Sequence, residues 1–450
     1  MPKSKGIHLQ HHVIEFYNQY YSANLMNLVI LGREPLHILK EMAISIFSQV
    51  PDKNITSPSI PGSPFAGNET IEVCVESVEP RNTMVLQFSL PSQKAYYREN
   101  PVMFITHFLK HEGHGSLMET LKRMGWATSL AMYSEDNFDF SILEVGFRLT
   151  YLGLKNRHII AQLFLEYVRL IKDRGVTKEY FKEISLLHDL KFRFQEKGRE
   201  DQYAELLARA MHSQSPFSTV LSNQVLLSRF NANIIKQVLN QLTAEKIRIG
   251  VTGNFSSYDQ KETWYGARYK VSKLSGFEAT GIQLMLPEIN PYIPDKFDLI
   301  QTNSTITLLQ NSSRGLLWYA GNPTTIPKAS IRILLKGAID NPSDKAQLGL
   351  FIQVIQHELF QCNARNAGLS YKVDSTGSNL ILLFEGYSQH LEKFTVHILS
   401  RIKQLLLNEI QLNKYQQKVI RKIQAKQSAN LLNQGSYYTK LALSTHVMAI

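Results

Sequence analysis

Along this chain the spacing of apolar residues alternates between the helical period of about 3.6 and the strand period of 2. A helical stripe at Val13–Tyr20 is followed by a short apolar strand pattern at Leu28–Gly32. Asn100-Pro101 then opens a helix, with a capping Asn and Pro at the first helical position, and Gly113 and Gly115 interrupt it. Ser116-Leu-Met-Glu119 supplies a capping box and Gly125 a stop. Strands are predicted at Trp126–Tyr133 and about Phe138–Leu149, where aromatic and β-branched residues concentrate. Thr150 caps a long amphipathic helix to about Arg174, which Gly175 ends, and another helix follows Thr177. A helix near Ile234–Leu242 and a strand at Ile247–Gly253 close the series.

The series then begins again. Asn341-Pro342 opens a helix that ends at Gly368, strands follow at Leu369–Val373 and Asn379–Glu385, and helices at about Gln389–Leu407 and Leu412–Gln427. The Asn-Pro pairs are 241 residues apart (341 minus 100) and the stop glycines 243 (368 minus 125), an internal repeat of about 240 residues. The helix–strand end of the full copy also resembles Val13–Gly32. The chain therefore reads as the tail of an earlier unit, one whole unit, and most of another whose closing strand is missing, since Ile450 aligns near Met211. Proline clusters at 51–64 and 287–294 favour extended linkers. The expected divisions are a remnant at 1–50, a linker at 51–70, a unit at 71–275, a linker at 276–300 and a truncated unit at 301–450. The fold class is α+β (mixed α/β): tandem homologous units, each an antiparallel-rich sheet covered by helices, because the strand connections are short.

Composition narrows the function. With 44% apolar and 19% charged residues in 450, the chain is an ordinary globular protein of two or three domains. No apolar run reaches 18 residues, so no membrane span is expected. Met-Pro-Lys-Ser-Lys-Gly is not a secretory leader, which makes the chain as given cytoplasmic, although a full-length parent could be periplasmic. Cys74 and Cys362 fit no metal spacing and read as free core thiols. The net charge of +11 is dispersed, and the clusters at Lys191–Arg199 and Arg401–Lys426 have helical spacing, so no nucleic-acid partner is expected.

The candidate chemistry lies in His107-Phe-Leu-Lys-His111-Glu112. The inverted zinc motif H-x-x-E-H places two imidazoles on one helix face, with a Glu between them to polarise metal-bound water. Here the histidine spacing is right, but Lys110 stands at the Glu position. A cation cannot act as that base, and a charge about 6 Å from a divalent ion costs roughly 5 kcal/mol at an effective dielectric of 20. Glu183, in a helical pattern, stands near the distance of a third ligand. His107, His111 and Glu183 are thus degenerate metal candidates. The expectation is no metal, no cofactor and no catalytic residue in this chain, and no activity by the chain alone.

The segment Phe16-Tyr-Asn-Gln-Tyr-Tyr-Ser-Ala-Asn-Leu-Met through Gly32 resembles the end of the first domain in the insulinase/pitrilysin family of zinc metallopeptidases. His107…His111-Glu-Gly-His-Gly-Ser-Leu and Leu-Lys-Arg-Met-Gly-Trp-Ala-Thr-Ser-Leu130 are similar to its second domain, and Trp264-Tyr-Gly-Ala-Arg-Tyr269 with Tyr292-Ile-Pro294 to the passage into its third. The resemblance implies a mitochondrial processing peptidase-like fold in which four α/β units close around a peptide and only the first binds zinc. It implies that this chain holds the non-catalytic second unit and most of the third. It also implies a peptide site on the second unit, at His107, His111, Glu112, Leu130 and Met132, although Ala131, Met132 and Tyr133 stand where Gly-Gly usually follows the Leu. Expected partners are peptides, and a chain carrying the catalytic and last units. The leading expectation is a non-catalytic peptide-binding fragment or pseudoenzyme. The alternatives are a subunit of a split zinc endopeptidase, and a structural scaffold or decayed gene product.

Overall fold

The structure is a computed structural model. It describes residues 6 and 8–405 apart from 66, 68, 79–80, 138, 196–197, 214, 300–303, 314, 322–325, 338–341, 360–361 and 377–378, together with 412, 413, 415–417, 420, 435 and 439. The chain divides into two compact units, Met1–Ile289 and Asn290–Ile450.

The first unit opens with α1 (Leu9–Tyr20) and α2 (Leu36–Phe47), neither of which buries a residue. Between them, Leu28–Gly32 is extended but is not a strand, contrary to its pattern. A strand exists only when another pairs with it, and no described strand does so here. The body follows: β1 (Ile71–Glu76), β2 (Asn82–Pro91), α3 (Pro101–Leu109), α4 (Leu117–Arg123), β3 (Ala127–Asp136), β4 (Phe140–Leu149), α5 (Tyr151–Lys155), α6 (Arg157–Leu170), α7 (Lys178–Arg193), α8 (Glu200–Ala210), α9 (Ala232–Leu239), β5 (Arg248–Gly253), β6 (Gln260–Lys261) and β7 (Arg268–Lys273). The helix expected from Thr150 to Arg174 is broken at Asn156 and ends in a π-helical turn at Ile171–Gly175.

The seven strands form one mixed sheet in the order β3-β4-β2-β5-β1-β7-β6. β5 lies parallel to β1 and antiparallel to β2, and so closes the middle. Alternate residues of β2 (Met84, Leu86, Phe88 and Leu90) are fully buried beneath the helices, with Phe88 stacked on Phe164 of α6 at 5.7 Å. Capping set the helix starts. Asn100, Ser116, Thr150, Thr177 and Asn231 each accept a backbone N–H from the first turn of the helix they precede. Gly153 is required for a different reason: a Cβ there would lie 1.9 Å from the Trp126 carbonyl oxygen. The segment after β7 straps the unit, with Phe277, Ile282, Leu284 and Leu286 packed against the core.

The second unit contains β8 (Ile306–Ser312), β9 (Gly315–Ala320), β10 (Lys328–Leu335), α10 (Pro342–Glu358), α11 (Cys362–Asn366), β11 (Ser370–Thr376), β12 (Asn379–Tyr387) and α12 (Ser388–Lys403). Its described strands make a three-stranded sheet, β10-β12-β11, and a separate hairpin, β8-β9. Phe384, Phe394 and Ile398 form its centre, and the Tyr371 hydroxyl donates to the Ile355 carbonyl at 2.9 Å. The capping Asn expected at 341 and most of the helix expected at 412–427 lie outside the described residues.

Candidate functional site

α3 ends sooner than the histidine spacing suggests. Lys110 is its C-cap, and the Lys110 amide donates to Thr106 O at 3.0 Å. His107 is therefore on the helix and His111 just past its C-cap. Their centroids are 6.3 Å apart. His107 Nε2 lies 3.4 Å from Glu183 Oε1 of α7, with both side chains buried. His111 is also buried, and its Nδ1 accepts the Gly113 amide at 3.0 Å. A side chain at Gly113 would put Cβ 2.4 Å from His111 Cε1, so the glycine and the ring position depend on each other. The Glu112 carboxylate accepts from Lys122 Nζ at 2.6 Å.

These donors do not fit a zinc ion. Among the described residues, His107, His111 and Glu183 do not bring three ligand atoms within 4.8 Å of one another. A tetrahedral zinc with bonds of about 2.0–2.1 Å needs closer convergence. Of the three, His107 and Glu183 are brought together, and His111 has turned to the loop. Nearby on α7, burial first, and then the charges of Lys191 and His107, push His188 down to about 4, so it is neutral at pH 7. The strap is tied to the same region: Tyr180 donates to Pro287 O at 2.7 Å, and the Met285 amide to Gly115 O at 2.8 Å.

The sequence reading passed over a second buried polar group. Glu72 on β1 takes a forked pair from Arg157, Nε at 2.7 Å and Nη2 at 3.2 Å, and meets His158 Nε2 at 2.9 Å. Burial alone would raise this carboxyl, but the hydrogen bonds of His158 and Arg157 and the guanidinium charge outweigh it and hold it at about 2. Burial and the adjacent Glu72 charge push the Cys74 thiol up to about 12, which leaves it unreactive. The available signal was a carboxylate at an inward position of a strand whose other inward residue is Cys74. The cluster anchors β1 to α6, with the His158 ring half-exposed at its outer side.

β3 offers different chemistry. It is the outermost strand, paired only with β4 among the described residues, with an irregularity between Ala127 and Ser129. Leu130 and Met132 are half-buried and pack on the core, while Tyr133 faces outward. The strand is thus fixed on one face and has one unpaired edge, which can accept another extended chain.

Two family models match. That of the peptidase M16 inactive domain covers residues 10–185, and that of the middle or third domain of peptidase M16 covers 192–449. Insulin-degrading enzyme of Bos taurus is 26% identical over 98% of this chain and 45% of its own length. Human nardilysin is 27% identical over 87% of this chain and 36% of its own. The crystal structure of pitrilysin superposes with a TM-score of 0.81 at 25% identity, over 96% of this chain and 48% of the other. The chain thus spans less than half the length of these relatives.

Proposed function

As this chain belongs to the peptidase M16 family and matches its inactive and middle domains, we propose that it is a non-catalytic, peptide-binding component of an M16-type peptidase. An extended peptide adds to the outer edge of β3. The observation that carries this reading is the edge itself: a strand of ten residues, held from behind by Leu130 and Met132, with no described strand on its other side. Main-chain pairing satisfies the exposed amides and carbonyls without a metal, and gives sequence-tolerant affinity in the micromolar range. The side chains of His107 and His111 have little exposed surface, so a peptide reaches them only if the loop after α3 moves. Glu112 meets a peptide amine only when Lys122 gives way.

The test is a titration of labelled 15–30-residue peptides, N-methylated at alternate residues in either phase. Only every second amide of an added strand points at its neighbour. One phase is therefore expected to abolish binding and the other to preserve it. Equal binding by both phases, or none by the unmodified peptide, contradicts the reading. Cleavage of a fluorogenic panel that is abolished by chelator and by His111→Ala would contradict its non-catalytic part.

A second reading is favoured by the first 47 residues. α1 and α2 bury nothing, Val13, Phe16, Tyr17, Ile44 and Phe47 are exposed, and Leu28–Gly32 pairs with no described strand. In this reading the chain is one subunit of a split zinc endopeptidase. That apolar surface packs against a chain carrying the catalytic unit. Co-purification with such a chain, lost in a Phe16→Asp variant, tests it.

A further inference from the structure

We propose that His11, His12 and Glu15 form a surface site for one divalent transition-metal ion of the zinc type. The three lie within a turn and a half of α1, at i, i+1 and i+4. Both imidazole Nδ1 atoms converge on a single carboxylate oxygen: His11 at 3.2 Å and His12 at 3.1 Å from Glu15 Oε2. The rings meet edge to face at 74°, with centroids 6.0 Å apart, so they converge rather than stack. Among the described residues, this is the group of three whose ligand atoms all lie within 4.8 Å of one another.

The distances suit a metal. Donors on a tetrahedral zinc with bonds of about 2.0–2.1 Å sit about 3.3 Å apart. Two of the three donor–donor edges are already close to that length. Metal entry requires only the tautomer with hydrogen on Nε2 in each ring, which turns the Nδ1 lone pairs toward the ion. Two imidazoles and one carboxylate select zinc, nickel or copper over calcium and magnesium, which need oxygen donors. The fourth position is left to water. The side chains are 57–68% accessible, so water competes and the affinity is micromolar rather than that of a buried structural site.

The ion would also stabilise the helix. α1 has 12 residues, no side-chain N-cap, no acid in its first turn and no buried residue. Isolated helices of that length are marginal. A chelate joining residues 11, 12 and 15 fixes one turn and holds the exposed apolar stripe of Val13, Phe16 and Tyr17 in a helical array.

The experiment uses the full chain, stripped with chelator and titrated with zinc alone by calorimetry, alongside hydrogen exchange with and without zinc. One ion per chain is expected, with slower exchange in Leu9–Tyr20. Affinity should fall at least about tenfold in His12→Ala and in Glu15→Gln, with unchanged far-ultraviolet dichroism of the chelated chain. His111→Ala should retain the wild-type affinity. Zinc affinity that survives both α1 substitutions, is lost in His111→Ala, or is absent from the wild type at micromolar concentrations would overturn the assignment.

Discussion

The two units repeat one order of strands and helices, and among the described residues their sheets differ in extent. Adding the repeat spacing of about 242 residues to β1, β2, β3 and β4 leads to β9, β10, β11 and β12. The counterpart of β5 is not among the described residues. In the first unit β5 joins β1 to β2, and the sheet runs through seven strands. Among the described residues of the second, β9 pairs in a hairpin with β8, and β10 stands at the end of a three-stranded sheet. The apolar residues show the consequence. Met84, Leu86 and Phe88 of β2 are 0% accessible, whereas Leu334 and Leu335 of β10 are 51% and 50% accessible and Trp318 of β9 is 56% accessible. Similar strand sequences are buried in one unit and wet in the other. Where β2 has a described neighbour on each side it is buried; β10 has β12 alone among the described residues. Each half-exposed leucine forgoes about 1 kcal/mol of transfer free energy.

The largest expected effect comes from breaking the closed unit at Gly153. Gly153→Ala puts a Cβ into the Trp126 carbonyl, against backbone that cannot turn away. A loss of about 3 kcal/mol or more is expected in denaturant unfolding of the first unit. In the open unit, Gly386 has φ +146°, and a Cβ there would meet Gly368 O at 2.4 Å. Gly386 is buried as well, so Gly386→Ala should also be strongly destabilising, by steric conflict and by backbone strain together. A loss under about 1 kcal/mol would show that the backbone there gives way.

Acid provides the next test. His188, lowered to about 4, binds its proton more weakly folded than unfolded. Its contribution is complete above about pH 6.5 and is lost as pH falls toward 4, a change of about 3 kcal/mol. Glu72, lowered to about 2, contributes fully above about pH 4.5 and loses that contribution as pH falls toward 2, by a similar amount. Both groups are in the first unit, so its advantage over the second should shrink in two steps. His188→Gln should flatten the step between pH 6.5 and 4 in urea titrations. An unchanged step would show that another group carries it.

A smaller effect is expected in hydrogen exchange of the free chain. β10, which among the described residues pairs only with β12, should exchange faster than β2 and β4, since opening an edge costs less than opening a strand held between two neighbours. Equal protection would mean that the second sheet is closed as firmly as the first.

Much of this was legible in the sequence where the cause is local. The caps at Asn100, Ser116, Thr150 and Thr177 placed helix starts correctly, and the period-2 segments placed β3 and β4. The family and the mixed α/β fold followed from motifs spread along the chain. What depended on distant partners was not legible. Leu28–Gly32 has a strand pattern but no described strand beside it. The helix carrying His107 stops at Leu109, and the His111 ring beyond it accepts the Gly113 amide within the loop. The Glu72–Arg157–His158 group joins residues 85 positions apart, and no spacing rule reaches that far.

The central claim is that the peptide-binding capacity lies on the open edge of the closed unit. Hydrogen exchange of the full chain, with and without a saturating unlabelled peptide, tests it most directly. Slower exchange is expected within Ala127–Asp136, with β10 and β12 unchanged. Protection that spares β3 and falls on β9 and β10, or on no element at all, would contradict it.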